Sequence, residues 1–447
     1  MSDLMSIGAS GVRAYQAALG TVSENIANAG TAGYARRTTT LAEVTATGGL
    51  SQSKVLAGNG VTLTGIGRLA DTYKAAAVRT SASDLARTEA GATWLDQVQT
   101  ALTGNQLGDR LTGFFAASTT LAADPTSSAA RATMLEAGTS VAGAFGGTGR
   151  ALDQVASNLD STADDATGQL DTLGQSLAAV NDGLGRAAPG SSAAASLADQ
   201  RDSITEQMSA IADVDVATDA QGRATVRLGG GGGPVFVAGN DAGHVTYARN
   251  DSGAVSFAVH RDGHADALVP NGGALAGIAD AAGRIGDARA GLNTLATSFA
   301  NGVNAVQAQG DDLNGKPGGA MFSTGASPTD LTLSLGDPSG IAAAARGGGS
   351  RDNSNLTALA GFRTSGAVEA KTTSLVADTA AALAAKQTVA DAQTTIHDGA
   401  VTARDAVSGV NLDTEAVDLM RFQQAYQASS RVIQVARETF QSIIAIN

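Results

Sequence analysis

The sequence predicts a mainly α fold with a β insertion: N- and C-terminal helices paired as a coiled coil, a helical-bundle domain, and a small antiparallel β domain. Three observations predict it. Apolar residues recur every seven positions at both ends of the chain. Helical periodicity fills long stretches between them. The period changes to that of strands near Val214 and returns to that of helices near Ala274.

At the first end, Met5, Val12, Leu19 and Ile26 are spaced by seven, with Gly8, Tyr15 and Val22 at the +3 positions. This is one apolar seam on a helix over 2–28, about 40 Å long. Asn28, Gly30 and Gly33 supply the turn chemistry that ends it. At the other end, Leu412, Leu419, Tyr426, Ile433 and Phe440 repeat the spacing, with Phe422, Ser429, Ala436 and Ile443 at +3. Gly409 and Asn411 precede this helix, and Asp413, Glu415 and Asp418 place negative charge in its first turns. A rod with one narrow seam is not stable alone in water. Neither seam has a partner nearby in sequence, so the economical solution is that each covers the other.

Between the ends, residues 34–68 are rich in Thr, Val and Gly and read as extended segments or a small hairpin, from Arg37–Leu41 and Gly60–Thr64. Helical periodicity follows: Trp94, Leu95, Val98 and Leu102, then Leu107, Leu111, Phe114, Phe115 and Leu121, stopped by Asp124-Pro125. A helix from about Ser127 to Phe145 comes next. Residues 150–185 read as a further amphipathic helix, broken around Ala163–Gly168 or continuous through it. Leu197–Ile211 is another helix.

From Val214 to about Val269 the signals are β, in five short alternating runs separated by turn residues at Gln221-Gly222, Asn240-Asp241 and Asp251-Ser252-Gly253. Helices resume over 274–308. A loop, a strand-like Leu331–Leu335 and a Gly-rich segment lead to a long helix over 372–406. The organisation is nested, with 1–68 and 405–447 forming the terminal coiled-coil domain. Residues 69–211 and 271–404 form the helical domain, and 212–270 a projecting β domain.

Composition excludes several functions. Of 447 residues, 43% are hydrophobic, enough to bury cores, but aromatics are only 4%, which favours thin helical layers. A net charge of −13 argues against a nucleic-acid groove and an anionic membrane surface. No window approaches about 18 continuous apolar residues. Cysteine is absent, which removes disulfides and thiolate metal sites. The N-terminus lacks a basic region followed by an apolar stretch, so no cleaved general secretory signal is expected.

Catalytic and ligand-binding constellations are weak. His260 and His264 are four apart, but they follow a strand in a Gly/Asp-rich turn, where such residues share no face; a solvated turn is the better reading. Gly229–Gly233 lacks the Gly-Lys-Ser/Thr ending of a phosphate loop and lies between strands. Asp311, Asp312 and Asn314 suggest a calcium loop, yet Gly310 and Met321 stand where its first and last carboxylates belong. No Ser–His–Asp or Cys–His arrangement can be drawn. No enzymatic activity and no cofactor are expected.

Two stretches resemble a known family. Leu19-Gly-Thr-Val-Ser-Glu-Asn25-Ile-Ala-Asn28-Ala-Gly-Thr31-Ala-Gly33-Tyr34 is similar to the N-terminal signature of flagellar rod, hook and hook-associated proteins, with Ala32 where proline is usual. Ser408-Gly-Val-Asn411-Leu-Asp413, then Phe422-Gln-Gln-Ala-Tyr426-Gln-Ala-Ser and Val432-Ile-Gln, resemble the C-terminal signature of the same family. The middle resembles the hook-associated members through Leu197-Ala-Asp199-Gln200-Arg201-Asp202, through Phe114–Ala130 and through Gly272–Gly277. The resemblance implies a structural subunit at the junction of hook and filament on the extracellular flagellum, exported by the type III apparatus. It implies a ring of identical copies contacting hook protein and hook-associated protein 3, and an export chaperone on the C-terminal helix. Asn25, Asn28, Gly33 and Tyr34 carry the family motif. The assembly interface would be the two seams, including Phe422 and Ile443. The free ends are expected to be largely disordered and to fold on assembly. Other readings are another axial protein, such as hook protein or hook-associated protein 3, or a secreted surface adhesin acting through the β domain.

Overall fold

The structure, a computed structural model, describes residues 2–31, 33–44, 60–250 and 253–445. Elements run in the order α1 (Ser2–Ala27), β1 (Arg37–Glu43), β2 (Val61–Arg68), α2 (Thr72–Thr103), α3 (Leu107–Ala123), α4 (Ser128–Arg186) and α5 (Ser192–Ile211). The β insertion comprises β3 (Val214–Thr218), β4 (Ala224–Leu228), β5 (Val235–Ala238), β6 (Asp241–Ala242), β7 (His244–Arg249), β8 (Val255–Arg261) and β9 (His264–Leu268). After α6 (Gly273–Gln309) come the short strands β10 (Gly310–Asp311), β11 (Phe322–Thr324), β12 (Leu331–Leu333) and β13 (Ala344–Ala345). The helices α7 (Ser354–Gly366), α8 (Val368–Ser408) and α9 (Leu412–Ile444) follow. The fold class is the one the periodicities predict.

The helical body is organised by α2 and α4. Helix α2 is capped by the Asp71 carboxylate, which accepts from the N–H groups of Tyr73 and Lys74, and packs on α8, α6, α5 and α4. Helix α4 is a single 59-residue rod, about 90 Å long. The two helices expected over 127–145 and 150–185 are therefore one. Of the two readings left open for Ala163–Gly168, the continuous one holds: Ala163, Ala166 and Thr167 are buried within the helix. An aromatic cluster forms where α3, α4, α6 and β11 meet. There Phe114, Phe115, Phe145, Phe299 and Phe322 pack edge-on or tilted, with ring centroids 5.1 to 6.3 Å apart. Helix α7 was not expected from sequence. Its Leu356 and Leu359 are buried, and it bridges α3 and α6.

The β insertion is two sheets rather than one unit: β3-β4-β5-β6 and β7-β8-β9, all antiparallel. Both lie against α4. The fully buried Asn181 of α4 donates to the carbonyls of Ala224 and Gly239 at 2.8 and 2.7 Å and accepts from the Ala224 N–H at 2.7 Å. Asp160, nearer the N-terminus of α4, accepts from the Tyr247 hydroxyl and from Arg249 Nε. The Tyr247 phenol is pushed well above its usual range by burial and by that carboxylate. Gly229–Gly233 lies in the β4–β5 connection, where the Leu228 N–H donates to the Pro234 carbonyl. In the 310–319 loop the Asp312 carboxylate accepts from the N–H groups of Asn314 and Lys316, closing the turn on itself.

Strands β1 and β2 pair antiparallel, Arg37 opposite Arg68, with a register shift at Thr40/Leu41. Residues 45–59 of the expected hairpin, Asp251 and Ser252 of the expected turn, and Ala32 lie outside the described residues. Among the described residues no helix is long and apolar enough to cross a membrane.

Candidate assembly site

Helices α1 and α9 pack against each other and run antiparallel. Gly8 faces Ser429 and Ile433, Tyr15 meets Phe422 with ring centroids 6.4 Å apart, and Asn25 reaches Glu415. The two seams thus find each other, but not through the face that side-chain size suggests. On α1 the buried positions are Gly8, Gly11, Ala14, Ala18, Thr21, Val22 and Asn25, at spacings of three and four. A Cβ at Gly8 would sit 2.7 Å from Ile433 Cγ1 and 3.3 Å from the Ser429 carbonyl, and one at Gly11 would sit 2.6 Å from Ser429 Oγ. Backbones approach this closely only over small residues. Val12, Tyr15 and Leu19 therefore ride the flanks of the contact, half-buried.

The same correction applies to the ends of the pair. Met5 and Ile26 of α1 and Leu412, Phe440 and Ile443 of α9 are exposed, not sealed within the pair. Leu419, Phe422, Tyr426 and Ile433 are half-buried along its middle, and Ala436 is buried. From 437 to 444 every residue of α9 is exposed. Two helices can hide only one stripe of each. The remaining apolar side chains, among them Val417, Met420, Val435, Phe440 and Ile444, face outward.

The motif residues build a polar hub where the pair meets the rest of the chain. Asn25 is 1% exposed and uses its whole amide. Nδ2 donates to the Arg37 carbonyl at 2.9 Å and to Glu415 Oε2 at 3.0 Å. Oδ1 accepts from the Arg37 N–H and the Tyr34 hydroxyl, each at 2.9 Å. Asn28 closes the end of α1, its Nδ2 donating to the Glu24 carbonyl. Gly33 turns the chain in the left-handed region, φ 76°, which only glycine adopts without strain. Tyr34 then lies under the Arg37 guanidinium, 4.9 Å from ring centroid to Cζ. Burial raises the Tyr34 phenol above its usual value.

Consecutive arginines clamp in opposite directions. Arg36 binds α9 through Glu415 and Asp418, and its N–H donates to the Ser408 carbonyl. Arg37 binds Glu24 of α1 at 3.0 Å and Asp199 of α5 at 3.2 Å. Arg68 adds ion pairs to Asp199 and Asp202, each at 2.8 Å. Burial raises the Asp199 carboxyl above the usual carboxylate range, against the pull of Arg68 and Arg37. Burial acts to lower the Arg37 guanidinium, but the hydrogen bond to Asp199 and the surrounding negative charge outweigh it, and it is raised. Sequence reading placed Arg37 in an extended segment and Glu415 among helix-start charges, and did not join them. The available signal was Arg36-Arg37, one residue beyond the motif's Tyr34, a costly pair to leave without carboxylates.

Among the described residues no group of three or more His, Asp or Glu could hold a metal ion. The ion pairs and hydrogen bonds of the hub hold α1 to α9 and fix both to α5.

Residues 93–322 match the family described as flagellar hook-associated protein FlgK helical domain, and residues 404–446 match flagellar basal body rod FlgEFG protein C-terminal. Flagellar hook-associated protein 1 of Escherichia coli (strain K12) is 28% identical over 342 residues, 73% of this chain and 60% of that protein. Its counterpart in Salmonella typhimurium (strain LT2) is 27% identical over 337 residues, with the same coverage. The chain thus spans about 60% of the length of the curated relatives it matches. A solved structure, the flagellar hook junction protein FlgK from Burkholderia pseudomallei, matches with a TM-score of 0.50 and 25% identity over 56% of this chain and 46% of that one. With a helical-domain match that covers more than half of its residues, the chain belongs to the flagellar hook-associated protein FlgK family.

Proposed function

We propose that this protein is a structural, non-catalytic subunit of the bacterial flagellum, one of a ring of identical copies that joins hook to filament. The observation that carries the reading is the α1–α9 pair. Its inner face closes on glycine and alanine, while Val417, Met420, Val435, Phe440 and Ile444 of α9 and Leu4, Met5 and Ile26 of α1 are exposed. An outward apolar surface on paired chain ends is what lateral packing into a tube requires. Neighbouring copies, hook protein on one side and hook-associated protein 3 on the other, cover that surface in the assembled organelle. The motif hub sets the angle between the ends and the helical body.

The pair buries few large side chains, each worth about 1.5–3 kcal/mol, against the ordering entropy of two long helices. The ends therefore order on assembly. Before export through the type III apparatus, an export chaperone shields α9 in helix-in-groove fashion. Strong hydrogen-exchange protection of 5–26 and 419–443 in dilute monomer would overturn the first statement. Chaperone affinity unchanged by deletion of 412–447 would overturn the second.

The role itself is tested by deleting the gene in the source bacterium. A junction subunit leaves intact hooks without filaments and flagellin in the medium, both restored by the full chain. Missing hooks would assign it to hook protein, and normal filaments would refute any junction role.

A further inference from the structure

The outer face of the β7–β9 sheet carries two imidazoles in direct opposition. His244 and His260 are register partners across the antiparallel pair β7–β8, so both project from the same face. Their ring centroids are 6.5 Å apart with planes at 41°. One nitrogen of each ring is already engaged. His244 Nδ1 is bonded to the Asp171 carboxylate of α4, whose other oxygen accepts from the Val245 N–H at 2.8 Å. His260 Nε2 lies 3.0 Å from the Thr246 hydroxyl. A carboxylate on Nδ1 fixes the tautomer that leaves Nε2 with its lone pair, the arrangement that orients metal-binding histidines. If His260 Nε2–H donates to Thr246, Nδ1 is likewise left as a lone-pair donor.

We propose that His244 and His260 form a two-imidazole chelate for a borderline divalent cation such as Zn²⁺, bound through His244 Nε2 and His260 Nδ1 and completed by water. The spacing is close to what this needs. A metal–nitrogen bond of about 2.1 Å places each ring centre roughly 3.2 Å from the metal, and a tetrahedral angle then separates the centres by about 5.3 Å. Both side chains are exposed, so a modest swing of the two side chains about χ1 closes the difference of about 1 Å. Nitrogen donors select Zn²⁺, Cu²⁺ or Ni²⁺ over Mg²⁺ and Ca²⁺. The bound ion staples β7 to β8 and, through Asp171, holds the three-stranded sheet on α4. His264 is not part of the chelate: it is the register partner of Arg261, while His260 faces Ala265.

The test is calorimetric titration of the untagged full chain with ZnCl₂ at pH 7.5, with MgCl₂ as the control. One Zn²⁺ per chain is expected, with no Mg²⁺ heat. His244→Gln and His260→Gln should each weaken binding by more than about tenfold, and Asp171→Asn by about tenfold. His264→Gln should leave it unchanged. A Zn²⁺-dependent rise in melting temperature present in the wild type and absent in His260→Gln provides a second readout, with circular dichroism confirming that the variants fold. No Zn²⁺ binding at millimolar concentration, or equal affinity in wild type and His260→Gln, would overturn the proposal.

Discussion

Asn25 donates a 3.0 Å hydrogen bond to Glu415 across 390 positions of sequence, and neither side chain is reached by solvent. The Glu415 carboxylate is held on its other oxygen by Arg36, and Asn25 is held on its other face by Tyr34 and the Arg37 backbone. One amide therefore ties α1 to the strand that follows it and to α9. A buried network of this kind is costly to satisfy in part, so the two ends of the chain are expected to order together.

Asn25→Ala should open that junction. It leaves the Arg37 N–H, the Tyr34 hydroxyl and Glu415 Oε2 without their partner, at a cost on the order of 2 kcal/mol. Asn25→Asp should be worse, because a second carboxylate then faces Glu415. In assembled hook–filament particles the measurement is the protection of the 22–26 amides from exchange and the fraction of hooks that carry filaments. Both should fall in the order wild type, Asn25→Ala, Asn25→Asp.

Gly8→Val should separate the helices where they are closest. Its Cβ would meet Ile433 Cγ1 at 2.7 Å and the Ser429 carbonyl at 3.3 Å, and overpacking of this kind costs about 1–3 kcal/mol. Gly20→Ala on the same helix is the control. An added methyl there meets nothing within 4 Å, so it should stabilise α1 by up to about 1 kcal/mol through helix propensity. Heat dissociation of filaments from hooks should move down for the first variant and stay level or move up for the second. Equal shifts would count against the close approach.

These two sites show what the sequence could and could not reveal. The heptads at both ends were legible because a period of 3.5 survives any choice of face. The face was legible only in part: the seam's +3 positions Gly8 and Val22 are buried, but Met5, Val12, Leu19 and Ile26 are not, and the contact also closes over Gly11, Ala14 and Ala18, which size does not single out. The hub was visible as a motif but not as a network. Nothing in the spacing of Arg36, Arg37, Asp199 and Glu415 tells which carboxylate each cation takes, since the partners come from three separate elements. The 59-residue length of α4 was hidden because Gly146, Gly147 and Gly149 interrupt the helical pattern after Phe145, while the stretch at Ala163–Gly168 reads equally as a break or as a continuation. Helix α7 had a weak signal, Leu356, Leu359 and Phe362 at three-residue spacing, between glycine-rich flanks that obscure it.

Acid should loosen the α7–α8 junction before the core. The Arg363 hydrogen bond holds the Glu369 carboxyl below its ordinary value, helped by Thr112. A depressed carboxyl stabilises the fold fully above its unfolded value of about 4.5 and loses that contribution as pH falls through the folded value. Arg363 is 38% exposed, so solvent screens the pair and the effect stays under about 1 kcal/mol. The melting temperature of Glu369→Gln should lie below wild type at pH 7, and the gap should shrink steadily as pH falls through the lowered carboxyl value. A gap that does not change with pH would mean that the charge is not what matters.

The outward face of α9 should be dispensable for the chain and essential for the tube. Met420 and Val435 are 56% and 60% exposed, so Met420→Asp and Val435→Asp remove no buried contact within the chain. Surface substitutions of that kind change stability by no more than about 0.5 kcal/mol, and the melting of the helical body should match wild type. In the assembled organelle the same side chains would be pressed against a neighbouring copy, where an unpaired carboxylate is strongly unfavourable. Cells carrying either variant should therefore export the protein, keep their hooks and lose their filaments. Full motility in both would place the contact between copies elsewhere on the molecule.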